Sequence, residues 1–493
     1  MVKFRIRPIF KDIFTTFTAE IIVLAGFIFF YRLIAKTFGP VGVGEYSLIR
    51  KTASLFQPLL ILGLGIGIPR YVAMSRDMDE RASYIRAALF VSMLLTVAFL
   101  VLVNLFRYPF VRLIFGNYDY IKLILPFSFF LLGLVLHVMV YAYLRGRMFV
   151  KTFNFLQIVN LALVPIFILI FFKNLHIETV VTFIGITTFL VALVFFLFFI
   201  REFFGPVKRR QFGGLLKEML GYSILRIPST FGLMGIFSLS PILAIHFSSI
   251  QNVGYLSVSQ SLLTGICGMT APLGIILLPR VSRLIKDGVQ ETIKENLDLL
   301  IAAIVQCSVF MFFQLLIFSD VIIKYWLGPD FFDAVPVMRV VLVSTVFYAF
   351  YIAIRDILDA SKFRPINTIN IFISFGIFLA AAGVLLFLIK TFVPIIGLSI
   401  AFSSSLICLG ILTYLSVRKI YPQKFLKDLS YLGISLAINF LLAGVAVLAK
   451  PFITSRFYFL FVFELGLVII YLVILWLIKT EWVKKALVFK KHE

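Results

Sequence analysis

Charged residues are scarce in this sequence. They occupy only 14% of the 493 positions, while hydrophobic residues occupy 61%; a soluble domain carries about 25% charged and about 45–50% apolar residues. So little charge excludes an ordinary soluble protein, because no soluble core could bury this much apolar surface. It also excludes a disordered chain, which has few apolar residues. The composition therefore indicates a polytopic membrane protein.

Cysteine and histidine are also rare, and they form no recognisable site. The three cysteines all lie in apolar runs and never in a CxxC spacing, which argues against a disulfide framework or a metal knuckle. The four histidines are scattered, and the sequence has no GxxxxGKS/T, HExxH or GxSxG motif. We therefore expect no cofactor, no metal centre and no hydrolysis of ATP by this chain.

Apolar runs of about 20 residues, the length that spans a bilayer as a helix, fill most of the chain. About fourteen can be distinguished. Their approximate limits are 13–36, 45–69, 84–106, 121–144, 153–172, 178–200, 221–246, 254–279, 296–319, 333–358, 366–390, 393–417, 429–449 and 455–478. The connections between them leave no room for a soluble catalytic domain. We expect an all-α fold with about fourteen transmembrane helices.

Acidic residues are outnumbered, with 46 Lys and Arg against 23 Asp and Glu and a net charge of +23. A soluble chain this basic would suggest nucleic-acid binding. Here the basic residues alternate: both termini and every second connection hold 32 Lys and Arg, and the opposite connections hold 9. Cytoplasmic loops carry such an excess. We therefore expect a multi-pass protein of the cytoplasmic (plasma) membrane, with both termini cytoplasmic and no nucleic-acid partner.

The chain contains an internal repeat at an offset of 210 residues. The matched pairs are Gly44 and Gly254, Ser47 and Ser257, Pro69-Arg70 and Pro279-Arg280, Tyr141 and Tyr351, Arg145 and Arg355, and Asn160 and Asn370. Because the period covers six spans, the halves share one orientation and should be related by a pseudo-twofold axis along the membrane normal, with a substrate site between them. The predicted organisation is an N-terminal lobe (1–204), a C-terminal lobe (205–417), and two further helices with a tail (418–493).

Two repeat-related spans each carry a polar stripe. The stripe on the second span consists of Ser47, Arg50, Ser54 and Gln57, which share a face because they recur at spacings of three and four. The offset places Ser257, Gln260, Thr264 and Cys267 at the same positions of the eighth span. Polar residues inside a span are costly unless they face a wet cavity or a partner. We interpret the stripes as opposite walls of a central cavity; a polar seam between buried helices is the alternative.

The ionisable residues inside the spans predict a positively charged cavity. The basic ones are Arg32, Arg50, Lys51, Arg226 and Arg339, and the acidic ones are Glu20 and Glu464. Such a cavity selects anionic cargo, and arginine suits phosphate because its guanidinium group binds two oxygens at once. We expect the cargo site to contain Arg32, Arg50, Lys51, Ser54, Gln57, Arg226, Gln260, Thr264 and Arg339. Snorkelling of the basic side chains to the headgroups is the alternative.

Two details of this site stay open in the sequence. Lys51 points about 100° away from Arg50 around the helix, so at most one of them is expected to face the centre. Glu20 either forms a structural ion pair with an arginine or binds Na⁺ or a proton that drives transport. Glu464, in the last span, is interpreted as a local partner for a lysine or arginine.

Two segments of the first half resemble the Wzx-type polysaccharide flippases of the multidrug/oligosaccharidyl-lipid/polysaccharide flippase superfamily. They read AKTFGPVGVGEY (35–46) and LGLGIGIPRYVA (62–73), and the second half echoes them from Val253-Gly254-Tyr255 to Leu278-Pro279-Arg280. The resemblance implies an alternating-access flippase without enzymatic activity. It would move a polyprenyl-diphosphate-linked oligosaccharide from the cytoplasmic to the outer leaflet for surface polysaccharide assembly.

The same resemblance implies roles and partners. The diphosphate would be held by Arg32, by Arg50 or Lys51, and by Arg226. The partners would be the lipid-linked oligosaccharide, the bilayer, and glycan polymerase or transferase machinery.

Three other functions are weighed against this one. A cation-coupled multidrug exporter of the MATE type resembles the family in fold but has about twelve helices and an acidic cavity. A lipid II flippase has its own cavity arginines, whereas the eighth span here offers Gln260 and Thr264. A membrane-embedded glycosyltransferase would need a carboxylate cluster; Asp320, Asp330 and Asp333 are near one another in sequence, but a structural loop turn explains them better.

Overall fold

The computed structural model describes residues 6–75, 77–200, 209–270, 290–361, 366–388, 393–420, 429–454 and 457–477. Within these residues every regular element is a helix, and no strand occurs. The all-α prediction is confirmed. The physical reason is that a backbone inside hydrocarbon has no water to bond, so a helix must satisfy its N–H and C=O groups internally.

The helices are numbered in chain order. Up to residue 268 they are α1 (Ile6–Leu60), α2 (Leu64–Met74), α3 (Met78–Leu105), α4 (Arg107–Phe115), α5 (Ile124–Gly146), α6 (Val150–Ile158), α7 (Val164–Phe172), α8 (Ile177–Phe198), α9 (Arg209–Ile224), α10 (Ile227–Phe247) and α11 (Ile250–Gly268). A 3₁₀ turn, Tyr118–Leu123, leads into α5, and a π-helical turn, Val159–Leu163, joins α6 to α7.

The later helices follow the same pattern. They are α12 (Gln290–Ile317), α13 (Ser319–Trp326), α14 (Ala334–Leu342), α15 (Thr345–Ser361), α16 (Ile366–Gly383), α17 (Pro394–Ile420), α18 (Leu429–Ile453) and α19 (Phe457–Leu477). A 3₁₀ turn, Pro329–Phe331, precedes α14, and a π-helical turn, Val384–Leu388, follows α16.

In the described part of the chain, 11 helices are long and apolar enough to cross a membrane, or 12 if the bent pair α14 and α15 is one span. Each of the fourteen predicted runs overlaps a helix. Two features explain the lower number. The apolar stretch Phe14–Leu60 contains two predicted spans, separated where Gly39 (φ 63°) interrupts the helical geometry. The predicted span 254–279 begins in α11, which is rich in polar residues, and its end (271–279) lies outside the described residues.

The chain divides into two compact units. Unit 1 contains residues 1–265 and 368–405, and unit 2 contains residues 266–367 and 406–493. These units are defined by packing within the chain, whereas the predicted lobes are defined by the sequence repeat. The lobe boundaries at 204 and 417 therefore stay predictions. In unit 1, α5 is the central helix, packed against α8, α2, α1 and α3. Large side chains such as Phe127 and Tyr143 are fully buried there.

In unit 2, the last two helices pack against α12 and α13. The shared core includes Phe310, Phe318, Leu442 and Tyr471, and the rings of Phe310 and Tyr471 stack with centroids 4.9 Å apart. The Tyr471 hydroxyl donates a 2.6 Å hydrogen bond to Gln306 Oε1. Helices α18 and α19, which lie beyond the sequence repeat, are therefore fixed to the rest of unit 2 by both apolar and polar contacts.

Candidate functional site

Most of the predicted cargo residues belong to unit 1. Those in unit 1 are Arg32, Arg50, Lys51, Ser54, Gln57, Arg226, Gln260 and Thr264, and Glu20 lies there too. Arg339 belongs to unit 2, where its Nε donates a 2.9 Å hydrogen bond to Ser319 Oγ.

A hydrogen-bonded chain joins the two repeat-related polar helices. Lys51 Nζ, on α1, donates to Gln260 Oε1 on α11 at 2.8 Å. Gln260 Nε2 in turn donates to Ser240 Oγ on α10 at 2.6 Å. The ammonium group also lies 5.4 Å from the ring centre of Phe237. Three helices thus converge on one lysine whose described partners are all uncharged.

Burial changes along the two stripes. Ser47, Ser257 and Gln260 are completely buried, Ser54 and Gln57 are partly exposed, and Thr264 is exposed. The buried end is therefore a polar seam between α1 and α11, the alternative considered for the whole stripe. Farther along, the accessible residues are Ser54, Gln57 and Thr264, whereas Cys267 at the end of the second stripe is buried.

A close crossing of α1 and α11 holds the buried end together. Gly44 and Gly254, which the repeat places at equivalent positions, lie where the two helices meet. A Cβ atom on Gly44 would overlap the carbonyl oxygen of Ile250, and one on Gly254 would lie 2.7 Å from the carbonyl oxygen of Pro40. Any larger residue would separate the helices. This contact gives the repeated glycines a physical role.

Arg50 and Lys51 are basic residues that have no acidic partner in the described part of the chain. Arg50 Cζ lies 4.3 Å from the ring centre of Phe27. Among the described residues, no carboxylate oxygen lies within 4.0 Å of either basic group. The sequence placed Arg50 on the stripe and Lys51 off it; in the structure it is Lys51 that contacts Gln260.

Glu20 lies in a second polar cluster of unit 1, formed with α6 and the π-helical turn. Gln157 Nε2 donates to Glu20 Oε1 at 3.1 Å, and Asn154 Nδ2 donates to Thr16 Oγ1 at 3.2 Å. No basic group lies within 4.0 Å of Glu20 in the described chain. The ion-pair interpretation therefore has no support, and the carboxylate contacts a neutral amide instead.

The amide oxygens of this cluster lack partners. Asn160 Nδ2 lies 3.0 Å from His137 Nδ1 and donates to the carbonyl oxygen of Thr188 at 3.3 Å. Asn154 Oδ1, Gln157 Oε1 and Asn160 Oδ1 are all buried without a hydrogen-bond partner. A flipped amide would not serve better, because a nitrogen is needed to donate to Glu20 and to the Thr188 carbonyl. Three buried amide oxygens of α6 and the π-helical turn are therefore unsatisfied.

Sequence reasoning missed most of this cluster. Asn154, Gln157 and Asn160 recur every three residues in an apolar span, a spacing that places them on one helical face, and this was the available signal. It also missed Lys122, whose Nζ lies 3.1 Å from Glu45 Oε1 and 3.8 Å from Glu178 Oε1. Those contacts join segments far apart in sequence.

The remaining predicted arginines lie at the surface of the structure. Arg32, Arg226 and Arg339 are exposed. Arg226 Cζ lies 4.6 Å from the ring centre of Tyr222, and Arg70 Cζ lies 4.1 Å from the same centre. The structure brings Lys51 together with Gln260, but it does not place Arg226 in contact with them. No group of three His, Cys, Asp or Glu residues suited to a metal occurs in the described ranges.

Comparison with known proteins agrees with this architecture. A solved structure described as lipid II flippase MurJ in an inward closed conformation matches with a TM-score of 0.71 and 17% identity, covering 94% of this chain and 97% of its own. An inward-facing MATE family multidrug resistance transporter of the MOP superfamily matches with a TM-score of 0.65 and 14% identity, covering 83% and 98%. A MATE transporter in a bent conformation matches with a TM-score of 0.56 and 16% identity, covering 83% of this chain and 95% of its own.

These structural likenesses, at low identity, establish a shared fold. No protein with a curated description matches the chain by sequence. A family model does match: the polysaccharide biosynthesis protein family aligns with residues 9–285, more than half of the chain. The match includes both glycines of the helix crossing and the Lys51–Gln260 pair. This chain therefore belongs to the polysaccharide biosynthesis protein family.

Proposed function

We propose that the protein flips a polyprenyl-diphosphate-linked oligosaccharide from the cytoplasmic to the outer leaflet of the plasma membrane. The family supports a role in polysaccharide biosynthesis, and the matched solved structures are a flippase and transporters. The chain transports and does not catalyse. Glycan polymerase or transferase machinery would use the flipped lipid.

One observation carries the choice of cargo: the uncompensated positive charge beside the polar stripes. Lys51 donates a hydrogen bond to the neutral amide of Gln260, and the guanidinium group of Arg50 stacks on the ring of Phe27. A charge inside a membrane domain is costly and is characteristically paired or used in transport. An anionic group arriving between these helices would supply the missing partner, and a diphosphate offers both charge and several acceptor oxygens.

The polar stripes supply the rest of the binding surface. Ser54, Gln57 and Thr264 are accessible and offer hydroxyl and amide groups, which suit sugar hydroxyls and phosphate oxygens. Arg32, Arg226 and Arg339 are proposed to meet the diphosphate at other stages of its passage. The crossing at Gly44 and Gly254 closes one end of the stripes, so opening of that crossing would release the cargo.

We propose that transport is coupled to an ion at Glu20. The Glu20 carboxylate and the unsatisfied amide oxygens of Asn154, Gln157 and Asn160 are oxygen donors, the kind of ligand that suits a hard cation such as Na⁺. A proton on Glu20 is the second candidate. If Glu20→Gln transports at the wild-type rate with unchanged Na⁺ and pH dependence, this coupling is refuted.

Two other kinds of cargo are considered for a transporter of this fold. A MATE-type exporter would carry an organic cation, which the charge of Lys51 and Arg50 disfavours. A lipid II flippase would carry a diphosphate lipid with a different glycan, and the match over 94% of this chain keeps it as the second candidate.

The function is tested in proteoliposomes. Labelled polyprenyl-diphosphate oligosaccharide is incorporated, and an impermeant reagent reports sugar exposed outside. We expect the protein to expose the inner-leaflet pool, and a gradient-driven export of organic cations without lipid movement would overturn the proposal. Lipid II, tested as a parallel cargo, distinguishes the two flippase candidates by their rates.

A further inference from the structure

Two arginines from different segments meet on a single tyrosine ring in unit 1. Arg70 comes from α2, Arg226 from the residue preceding α10, and Tyr222 from α9. The guanidinium carbons lie 4.1 Å and 4.6 Å from the ring centre. They are therefore no farther apart than these two distances combined. A phosphate or diphosphate group that reaches one guanidinium is close to the other.

The ring is held in place by the packing of α2 against α9. Gly63, which precedes α2, has a left-handed backbone (φ 70°), and a Cβ atom there would overlap the carbonyl oxygen of Ser223. Tyr71 packs edge-on against Tyr222, with centroids 5.9 Å apart. Its hydroxyl donates to the carbonyl oxygen of Glu218 at 3.4 Å. The two helices are thus fixed together where the arginines emerge, so the pair is preorganised.

The charge of the pair is available to a ligand. Arg70 and Arg226 are both exposed, and in the described part of the chain neither has a carboxylate within 4.0 Å. Interaction with Tyr222, and more weakly with Glu218, raises the pKa of Arg70. The two arginines and the one glutamate leave the cluster with a net positive charge.

The surroundings of the pair are those of a membrane interface. Leu225 is 75% exposed, Met74 65% and Ile224 45%, so large apolar side chains flank the arginines. Arginine and aromatic residues beside exposed apolar groups are typical of the headgroup level of a bilayer. The distribution of Lys and Arg places these helix ends on the predicted cytoplasmic side. The ligand that fits is the anionic headgroup of a lipid in that leaflet.

We propose that Arg70, Tyr222 and Arg226 form a loading site, which holds the diphosphate of the cargo lipid at the cytoplasmic leaflet before the lipid reaches Lys51. This inference rests on the proposed function. It gives Arg226 a role apart from the Lys51 network, and it assigns a role to Arg70 and Tyr222, which lie outside the predicted cargo site. The snorkelling alternative would need no second arginine on the same ring.

The test uses the full-length Tyr222→Trp variant in phosphatidylcholine nanodiscs, because tryptophan keeps the aromatic face and reports binding by fluorescence. Wild-type protein gives the background from its three native tryptophans. We expect farnesyl diphosphate, a short polyprenyl diphosphate, to change the fluorescence saturably. Adding Arg70→Gln and Arg226→Gln should weaken this binding by about 10- to 100-fold, since charge-assisted bonds are lost. Adding Arg147→Gln instead is the matched control, because Arg147 also stacks on an aromatic ring, 5.0 Å from the centre of Phe149.

Each other result overturns the loading site. If farnesyl diphosphate binds equally well after removal of both arginines, the arginines only snorkel to the headgroups. Equally tight binding of inorganic diphosphate would point to a soluble anion, and equally tight binding of phosphatidylglycerol would point to a general lipid anchor.

Transport separates this inference from the proposed function. Loss of Arg70 and Arg226 should slow flipping at low cargo density and spare the maximal rate. If the wild type binds farnesyl diphosphate here but flips nothing, only the proposed function fails. If flipping is normal but the fluorescence never responds, only the loading site fails.

Discussion

Two lysines of unit 1 have opposite electrostatic surroundings. Lys122 lies between two carboxylates, 3.1 Å from Glu45 and 3.8 Å from Glu178. Lys51 contacts the neutral amide of Gln260 at 2.8 Å and faces an aromatic ring. The first charge is balanced within the protein, and the second is not. A balanced charge can be explained by folding alone, whereas an unbalanced one inside a membrane domain calls for a ligand.

The largest expected effect comes from removing the unbalanced charge. Arg50→Gln with Lys51→Gln should reduce cargo flipping by about 100-fold or more, because two charge-assisted contacts to the diphosphate are lost. The protein should still fold, since no ion pair is broken. Flipping rates are normalised to the folded fraction from size-exclusion chromatography. Wild-type flipping by this variant would contradict the assigned role of both residues.

A second variant would give Lys51 a carboxylate partner, as Lys122 already has. Gln260→Glu places a carboxylate beside the ammonium group of Lys51, so it should raise the melting temperature. It should also lower the flipping rate by about 10-fold, because the carboxylate competes with the cargo for one charge-assisted hydrogen bond. Gln251→Glu, on an exposed position of the same helix, is the control for added negative charge. Unimpaired flipping by Gln260→Glu would mean that cargo does not bind at Lys51.

The converse variant removes Lys122 and so leaves its carboxylate partners without a cation. Lys122→Gln leaves the buried carboxylate of Glu45, only 6% exposed at its side chain, without its cation. We expect a loss of about 1–3 kcal/mol in the free energy of unfolding, measured by thermal melting, with normal flipping per folded molecule. Adding Glu45→Gln should recover most of the stability. A selective loss of flipping at full stability would place Lys122 in the transport pathway.

The smallest effect is expected in unit 2, far from either lysine in sequence. Tyr471→Phe removes the hydroxyl that bonds Gln306 at 2.6 Å and should cost about 1 kcal/mol of stability. Flipping should be unchanged, because the apolar packing of α19 remains. A strong transport defect would show that the last two helices take part in the cycle through this bond.

The sequence was sufficient for the fold because the governing signals are local and repetitive. Runs of apolar residues located the long helices, although α4 and most of α13 lie between the predicted spans. The 210-residue offset identified Gly44 and Gly254, which meet where α1 and α11 cross. It was not sufficient for helix rotation. Spacing places Arg50 and Lys51 about 100° apart, but it cannot tell which of them faces α11, since that depends on packing against residues more than 200 positions away.

Long-range partners were equally inaccessible. An arginine partner or a bound ion was considered for Glu20, but the contact with Gln157 was not predicted. The pairing of Lys122 with Glu45 depends on how α1 and the turn before α5 pack. The Tyr222 cluster likewise needs α2 and α9 side by side. In each case residue chemistry was visible in the sequence, while the distance between the groups was set by tertiary packing.

The most direct test of the account asks whether the unbalanced charge recognises the diphosphate. Full-length protein in phosphatidylcholine nanodiscs is titrated with polyprenyl-diphosphate oligosaccharide and with the corresponding uncharged polyprenyl-linked oligosaccharide. We expect wild-type protein to prefer the diphosphate by about 10-fold or more, and we expect Lys51→Gln with Arg50→Gln to lose this preference. Equal affinity of the wild type for both lipids, or an undiminished preference in the variant, would contradict this expectation.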